Sequence, residues 1–255
     1  MVETIDQEGA ALPTIEVNGT TLAYDDTGGD GPAVVFSHSL YFDRSMFEAQ
    51  VARFGRAFRV VTYDHRGQGG SARSSSVDMD TLTEDAAALI EALSLGPAHL
   101  VGNAMGGFVV LRLVARHPEL VRSAAVLASS ADEEPEECTI LPLDALMFGE
   151  TTLTERVALR DRWCEHFGAL DSSALTAAEG VLSRKGVLDE LVDATVPMLV
   201  LSADEDNVYP RPHSQRIADT AANTHHVTVK RAGNSLAVER PDAVNALLAE
   251  HFDAV

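Results

Sequence analysis

The sequence predicts a doubly wound α/β fold: a mostly parallel, eight-stranded sheet with a helical insert. Three observations predict it. Short, nearly all-apolar runs recur along the chain, the habit of strands covered on both faces. Runs with helical spacing of apolar residues alternate with them. From about residue 131 to 193 the alternation breaks, and an acidic stretch leads into helix-like sequence.

Taken in order, Thr14–Val17 and Thr21–Tyr24 flank Asn18-Gly19, a dipeptide that tight hairpin turns favour. Thr27–Pro32 is a loop, and no Gly-Lys-Ser/Thr follows it, so it is not a phosphate loop. Ala33–Phe36 is a short apolar strand, and Phe58–Tyr63 is the next, with Arg59 its only charge. Asp80–Leu93 carries Leu82, Ala86, Leu89 and Leu93 on one helical face. His99–Val101 is a strand, and Ala104–Ala115 the helix after it. Ser123–Leu127 and Pro197–Leu201 are further strands, His225 and His226 lie on the last, and a helix closes the chain. In the insert, Leu159, Trp163, Phe167 and Leu170 share one helical face, which packs on the main domain and lines a pocket as a lid. The expected organisation is therefore a first core part over 1–130, a helical lid over 131–193 and a second core part over 194–255.

Composition narrows the function. The 39 acidic and 19 basic residues give a formal charge of −20, which repels phosphate backbones; nucleic acid and anionic membranes are not expected partners. The two cysteines, Cys138 and Cys164, make no disulfide framework and read as free thiols. The first ten residues are acidic and lack an apolar run, and no apolar stretch nears the ~18 residues a bilayer span needs. The expected location is the cytoplasm.

The chemistry centres on Val101-Gly102-Asn103-Ala104-Met105-Gly106-Gly107. A strand turning sharply into a helix with the pattern Gly-x-x-x-Gly normally presents a serine at its centre. Here the central residue is Ala104. Three other stretches fall at strand ends, where open α/β sheets bind ligands: Ser37-His38-Ser39-Leu40, Tyr63-Asp64-His65-Arg66-Gly67-Gln68-Gly69-Gly70-Ser71, and Ser202-Ala203-Asp204-Glu205-Asp206. Ala232-Gly233-Asn234-Ser235 precedes the last helices, followed by Glu239-Arg240-Pro241.

In that order, these stretches resemble the α/β-hydrolase family, and within it the 3-oxoadipate enol-lactonases and neighbouring small ester and lactone hydrolases. The resemblance implies a nucleophile at position 104, a histidine base at 234 and an orienting acid at Asp206. Asp204 and Asp132 are rival acids and are expected to be solvated surface carboxylates. It also implies an oxyanion hole made by the Leu40 and Met105 backbone N–H groups, with His38 and Trp163 at the substrate pocket. Two triad positions are empty of chemistry, because Ala104 has no hydroxyl and the amide of Asn234 is no base near neutral pH.

No other histidine obviously substitutes. His38 is commonly structural in the family, His65 is expected at the surface, and His117 ends a helix. His225 and His226 face opposite sides of a strand. No His-x-x-x-His or Cys-x-x-Cys pair exists, so neither metal nor cofactor is expected. Two readings remain open. One is an ester or lactone hydrolase with its nucleophile and base replaced, nearly inactive, whose partner is a small ester or lactone. The other is a natural non-hydrolytic member, lyase-like, cyclase-like or ligand-binding, that uses the oxyanion hole and pocket. The Gly102–Gly107 turn also resembles that of carbon–carbon hydrolases, but His38-Ser39-Leu40-Tyr41 lacks their longer glycine-rich loop.

Overall fold

The computed structural model describes residues 13–134 and 141–255. Cys138 and the acidic N-terminus fall outside them. Eight strands form one sheet in the order β1-β2-β4-β3-β5-β6-β7-β8. They are β1 (Thr14–Val17), β2 (Thr20–Asp26), β3 (Ala33–Ser37), β4 (Arg59–Tyr63), β5 (Ala98–Asn103), β6 (Val121–Leu127), β7 (Met198–Ala203) and β8 (Thr224–Val229). β1 and β2 are antiparallel, and β2 meets β4 antiparallel. Every pairing from β4 to β8 is parallel. The β1–β2 turn places Asn18 at φ 44° and Gly19 at φ 69°, the left-handed pair that lets a two-residue turn match strand twist.

Successive strand residues feed opposite faces, and both faces are apolar. Val35, Val61, Leu100, Val126 and Val200 enter one core. Val34, Val60, Val101, Leu127 and Leu199 enter the other. Helices α2 (Met79–Ala92), α3 (Met105–Arg116) and α8 (Arg211–Thr220) cover the first face. Helices α1 (Glu48–Phe54), α9 (Leu236–Glu239) and α10 (Pro241–Asp253) cover the second. Helix α2 starts where the Asp78 carboxylate accepts the Thr81 N–H at 2.7 Å, a side-chain N-cap.

Between β6 and β7 the chain leaves the sheet for α4 (Leu143–Met147), α5 (Glu150–Glu155), α6 (Val157–Gly168) and α7 (Ser173–Leu182). Trp163 of α6 is buried, with its ring centroid 4.5 Å from that of Phe42. Phe167 packs edge-on to Phe42 at 5.2 Å. The return path is held by Arg184, whose guanidinium lies 4.0 Å over the Phe108 ring and donates to the Asp132 carbonyl at 3.1 Å. Among the described residues, no helix is long and apolar enough to cross a membrane.

The expectation that His65 lies at the surface is overturned. Its ring is fully enclosed, with Nε2 3.0 Å from Ser37 Oγ. The Asp64–Ser71 loop folds back under the strand ends because the Asp64 carboxylate pins it, accepting Arg44 N at 2.7 Å, Arg44 Nη1 at 2.6 Å and Gly70 N at 2.7 Å.

Two glycines give contrasting predictions. A Cβ on Gly106 would sit 1.9 Å from the Ser37 carbonyl oxygen, whereas one on Gly168 meets nothing within 4 Å. Gly106→Ala is expected to lower stability in urea by about 3 kcal/mol or more. Gly168→Ala, at the end of α6, is expected to raise it by about 0.5 kcal/mol.

Candidate active site

The site is built on the turn from β5 into α3. Ala104 holds φ 47° and ψ −109°, which a residue with a Cβ rarely adopts and which costs on the order of 1–3 kcal/mol. Its surroundings enforce that conformation. Its N–H donates to the Leu127 carbonyl at 2.9 Å, and its own carbonyl accepts from Ser129 Oγ at 2.8 Å. A Cβ on Gly102 would lie 2.2 Å from the Gly106 carbonyl oxygen, so strand and helix meet only as glycines.

Gly106 seats the first turn of α3 against the Ser37 and His38 carbonyls, the start of the Ser37–Leu40 loop. Among the described residues, neither the Leu40 nor the Met105 N–H has a hydrogen-bond acceptor. Met105 opens a twelve-residue helix, at the positive end of its dipole. Two such donors on adjoining loops can hold a developing oxyanion.

His38 fixes the loop. It is fully enclosed; Nδ1 donates to the Ser39 carbonyl at 2.8 Å and Nε2 accepts the His65 N–H at 3.0 Å. Burial holds its pKa below the usual histidine value, in keeping with a neutral ring, and neither nitrogen is left for a ligand. Trp163, on α6 of the insert, packs on Phe42.

Asp206, past the end of β7, accepts the Val208 and Tyr209 N–H groups at 2.8 and 3.1 Å. Asn234, in the loop after β8, donates Nδ2 to Asp206 Oδ2 at 3.3 Å and to the Ala128 carbonyl at 3.2 Å. The Asn234 amide thus occupies the donor side that an imidazole N–H would offer this carboxylate. The rival acids are elsewhere. Asp204 accepts the Arg231 N–H at 2.6 Å. Asp132 is partly buried rather than simply solvated, 2.9 Å from Arg216 and 3.3 Å from His213.

Two supports carry no role in the sequence reading. Buried Asn103 donates Nδ2 to the Asn234 carbonyl at 2.7 Å and accepts the Ala237 N–H at 3.2 Å. It ties the β5 turn to the loop that holds position 234. Buried Glu239 accepts the Gly149 and Gly233 N–H groups, both at 2.9 Å, and so clamps the insert to that same loop. The Glu239-Arg240 match was a signal for the second; Asn103 differs from its partners by more than a hundred positions and gave none.

The sequence profile of the alpha/beta hydrolase family matches residues 34–247. The chain belongs to the alpha/beta hydrolase family. It is 30% identical to a putative non-heme bromoperoxidase, BpoC, of Mycobacterium tuberculosis, over 92% of this chain and 98% of the relative. It is 30% identical to 3-oxoadipate enol-lactonase 1 of Acinetobacter baylyi, over 74% and 77% of the two chains. The enol-lactonase of Burkholderia xenovorans LB400 superposes with a TM-score of 0.85, at 25% identity, over 94% of this chain and all of that one. The matched residues include the β5–α3 turn, which has alanine at its centre.

Burial raises the Asp206 pKa from 3.8 to about 6, outweighing its three hydrogen-bond donors. Between those values the folded chain keeps a proton that the unfolded chain releases. The resulting stabilisation is full below about pH 4 and is lost as pH rises through 6, amounting to at most about 3 kcal/mol. Asp206→Asn, which has no such charge to bury, is expected to gain in melting temperature relative to the unmodified chain as pH rises from 4 to 8. Thermal unfolding across that range checks the sign.

Proposed function

We propose that this chain is an ester- or lactone-hydrolase scaffold that binds a small acyl compound but turns it over only feebly. The observation that carries this reading is the Ala104 turn. The strained φ of 47° is in place, with the Met105 N–H unpaired among the described residues, although no hydroxyl uses them. The 3-oxoadipate enol-lactonase among the relatives supports the choice of ester or lactone. In this reading Leu40 and Met105 hold the carbonyl oxygen, Ala104 and Asn234 occupy the nucleophile and base positions, and Asp206 is an acid without its histidine. Trp163 seats the lid over 131–193 on Phe42, while His38 holds the Leu40 loop.

Restoring both groups tests it. Ala104→Ser with Asn234→His is expected to raise hydrolysis of aryl esters and small lactones on the order of 10⁴-fold, since triad members act as a unit. Either change alone is expected to give less than about tenfold. A folded double variant with no gain would contradict the reading.

A second reading rests on Asp206. A buried carboxyl with a pKa of about 6 is partly protonated near neutral pH and can donate a proton. That suits a non-hydrolytic elimination or cyclisation. Such turnover would follow a titration near pH 6 and vanish in Asp206→Asn, with the double variant silent toward esters.

A further inference from the structure

Residues Ser39–Phe42 close a tight turn in which the Ser39 carbonyl accepts the Phe42 N–H at 3.2 Å. Among its four residues only Tyr41 has a positive φ, 69°. A positive φ at the third residue alone is the type II pattern, and that place favours glycine. A tyrosine there is strained and persists only where its surroundings hold it. Leu40, the proposed oxyanion donor, is the second residue of the same turn.

The turn is held from two sides. From the core, His38 Nδ1 donates to the Ser39 carbonyl at 2.8 Å. From the insert, one face of α6 grips the far half. Trp163, His166 and Phe167 lie three and four positions apart and so share that face. Trp163 and Phe167 pack on the Phe42 ring, with centroids 4.5 and 5.2 Å away. His166 Nε2 lies 3.1 Å from the Tyr41 carbonyl. A carbonyl only accepts, so Nε2 carries the proton. Among the described residues no turn or loop N–H reaches that carbonyl. The His166 ring is itself braced, edge-on to Trp163 at 5.2 Å and with Nδ1 3.8 Å from the Asp43 carboxylate.

We propose that His166 is a positioning residue: by donating Nε2–H to the Tyr41 carbonyl it holds the Ser39–Phe42 turn and so sets where the Leu40 N–H points. Freed of that bond, Tyr41 relaxes toward negative φ. That change turns over the Leu40–Tyr41 peptide, the unit by which type II and type I turns differ. The insert and the oxyanion turn are then one conformational unit, and α6 in its docked place is the state that presents Leu40. The donor role of Leu40 rests on the reading given under Proposed function; the hold on the turn does not.

The test reads the turn and the donor separately, on the full chain. A positive φ brings the amide and α hydrogens of one residue close together, so a strong intraresidue nuclear Overhauser effect at Tyr41 reports the turn. Phenyl acetate labelled with ¹³C at its carbonyl reports the donor through its affinity and carbonyl shift. The Tyr41 effect is expected to be strong in the unmodified chain and in His166→Gln, whose amide keeps a donor, and to weaken in His166→Leu. Phenyl acetate should bind about fivefold more weakly to His166→Leu and within about twofold of the unmodified chain to His166→Gln. Adding Tyr41→Gly to His166→Leu should restore the affinity, because glycine adopts a positive φ unaided. His166→Ala gives the same readout should the leucine variant not fold. An unchanged Tyr41 effect in His166→Leu, or no rescue by His166→Gln, overturns the proposal. So does a weakened Tyr41 effect with the affinity unchanged, since the bond then holds the turn without positioning the donor. A Tyr41 effect that follows His166 in a chain that never shifts the ester carbonyl upholds the hold on the turn and refutes the acyl reading.

Discussion

The close approach of α3 to the ends of β3 and β5 is the constraint on which the site depends. Gly102 and Gly106 allow it, because a Cβ on either would overlap backbone. The contact forces Ala104 to φ 47°, places Met105 at a helix N-terminus, and seats the Ser37–Leu40 loop alongside. In the proposed function, a larger residue at 106 would separate the two oxyanion donors before altering anything chemical. The sheet supplies the rigidity: β5 is paired in parallel on both sides, so its end cannot relax the strain by sliding.

Around that turn, buried polar groups are spent on position. Asn103 joins the turn to the loop of residue 234, Glu239 joins that loop to the insert, and His38 joins the Leu40 loop to the His65 turn. Each accepts or donates to backbone, so each fixes a loop rather than a neighbouring side chain. The two carboxylic acids carry a cost: burial outweighs their donors and raises the pKa of Glu239 and that of Asp206, the latter to about 6. In a complete triad an imidazolium would favour the ionised carboxylate; an asparagine amide offers only a neutral dipole. In the proposed function, the frame for acyl chemistry is whole, while the groups that break and make bonds are not.

Much of this was legible in the sequence. The strands were, because Ala33–Phe36 and its counterparts are apolar at every position, and only a sheet covered on both faces accommodates that. The Asn18-Gly19 hairpin was, because few dipeptides accept two left-handed residues. Strand ends shifted by one or two residues, as at β6, which begins at Val121 rather than Ser123. Position 234 was legible through spacing from Glu239. His65 was misplaced because its turn reads as polar, and nothing local reveals that Asp64 draws the loop inward through Arg44. Asn103 gave no signal, since its partners, Asn234 and Ala237, lie more than a hundred positions along the chain. Asp132 looked solvated because its partners, His213 and Arg216, come from a helix eighty residues later.

The central claim is that the site still receives an acyl carbonyl although it lacks the means to cleave it. The most direct measurement is the ¹³C spectrum of a carbonyl-labelled aryl ester held with excess unmodified protein at neutral pH. The account predicts a bound carbonyl signal, shifted downfield by the Leu40 and Met105 N–H groups and persisting for hours at the rate of ester loss seen in buffer. A carbonyl signal unchanged from free ester at saturating protein would contradict it, as would rapid conversion to the carboxylate.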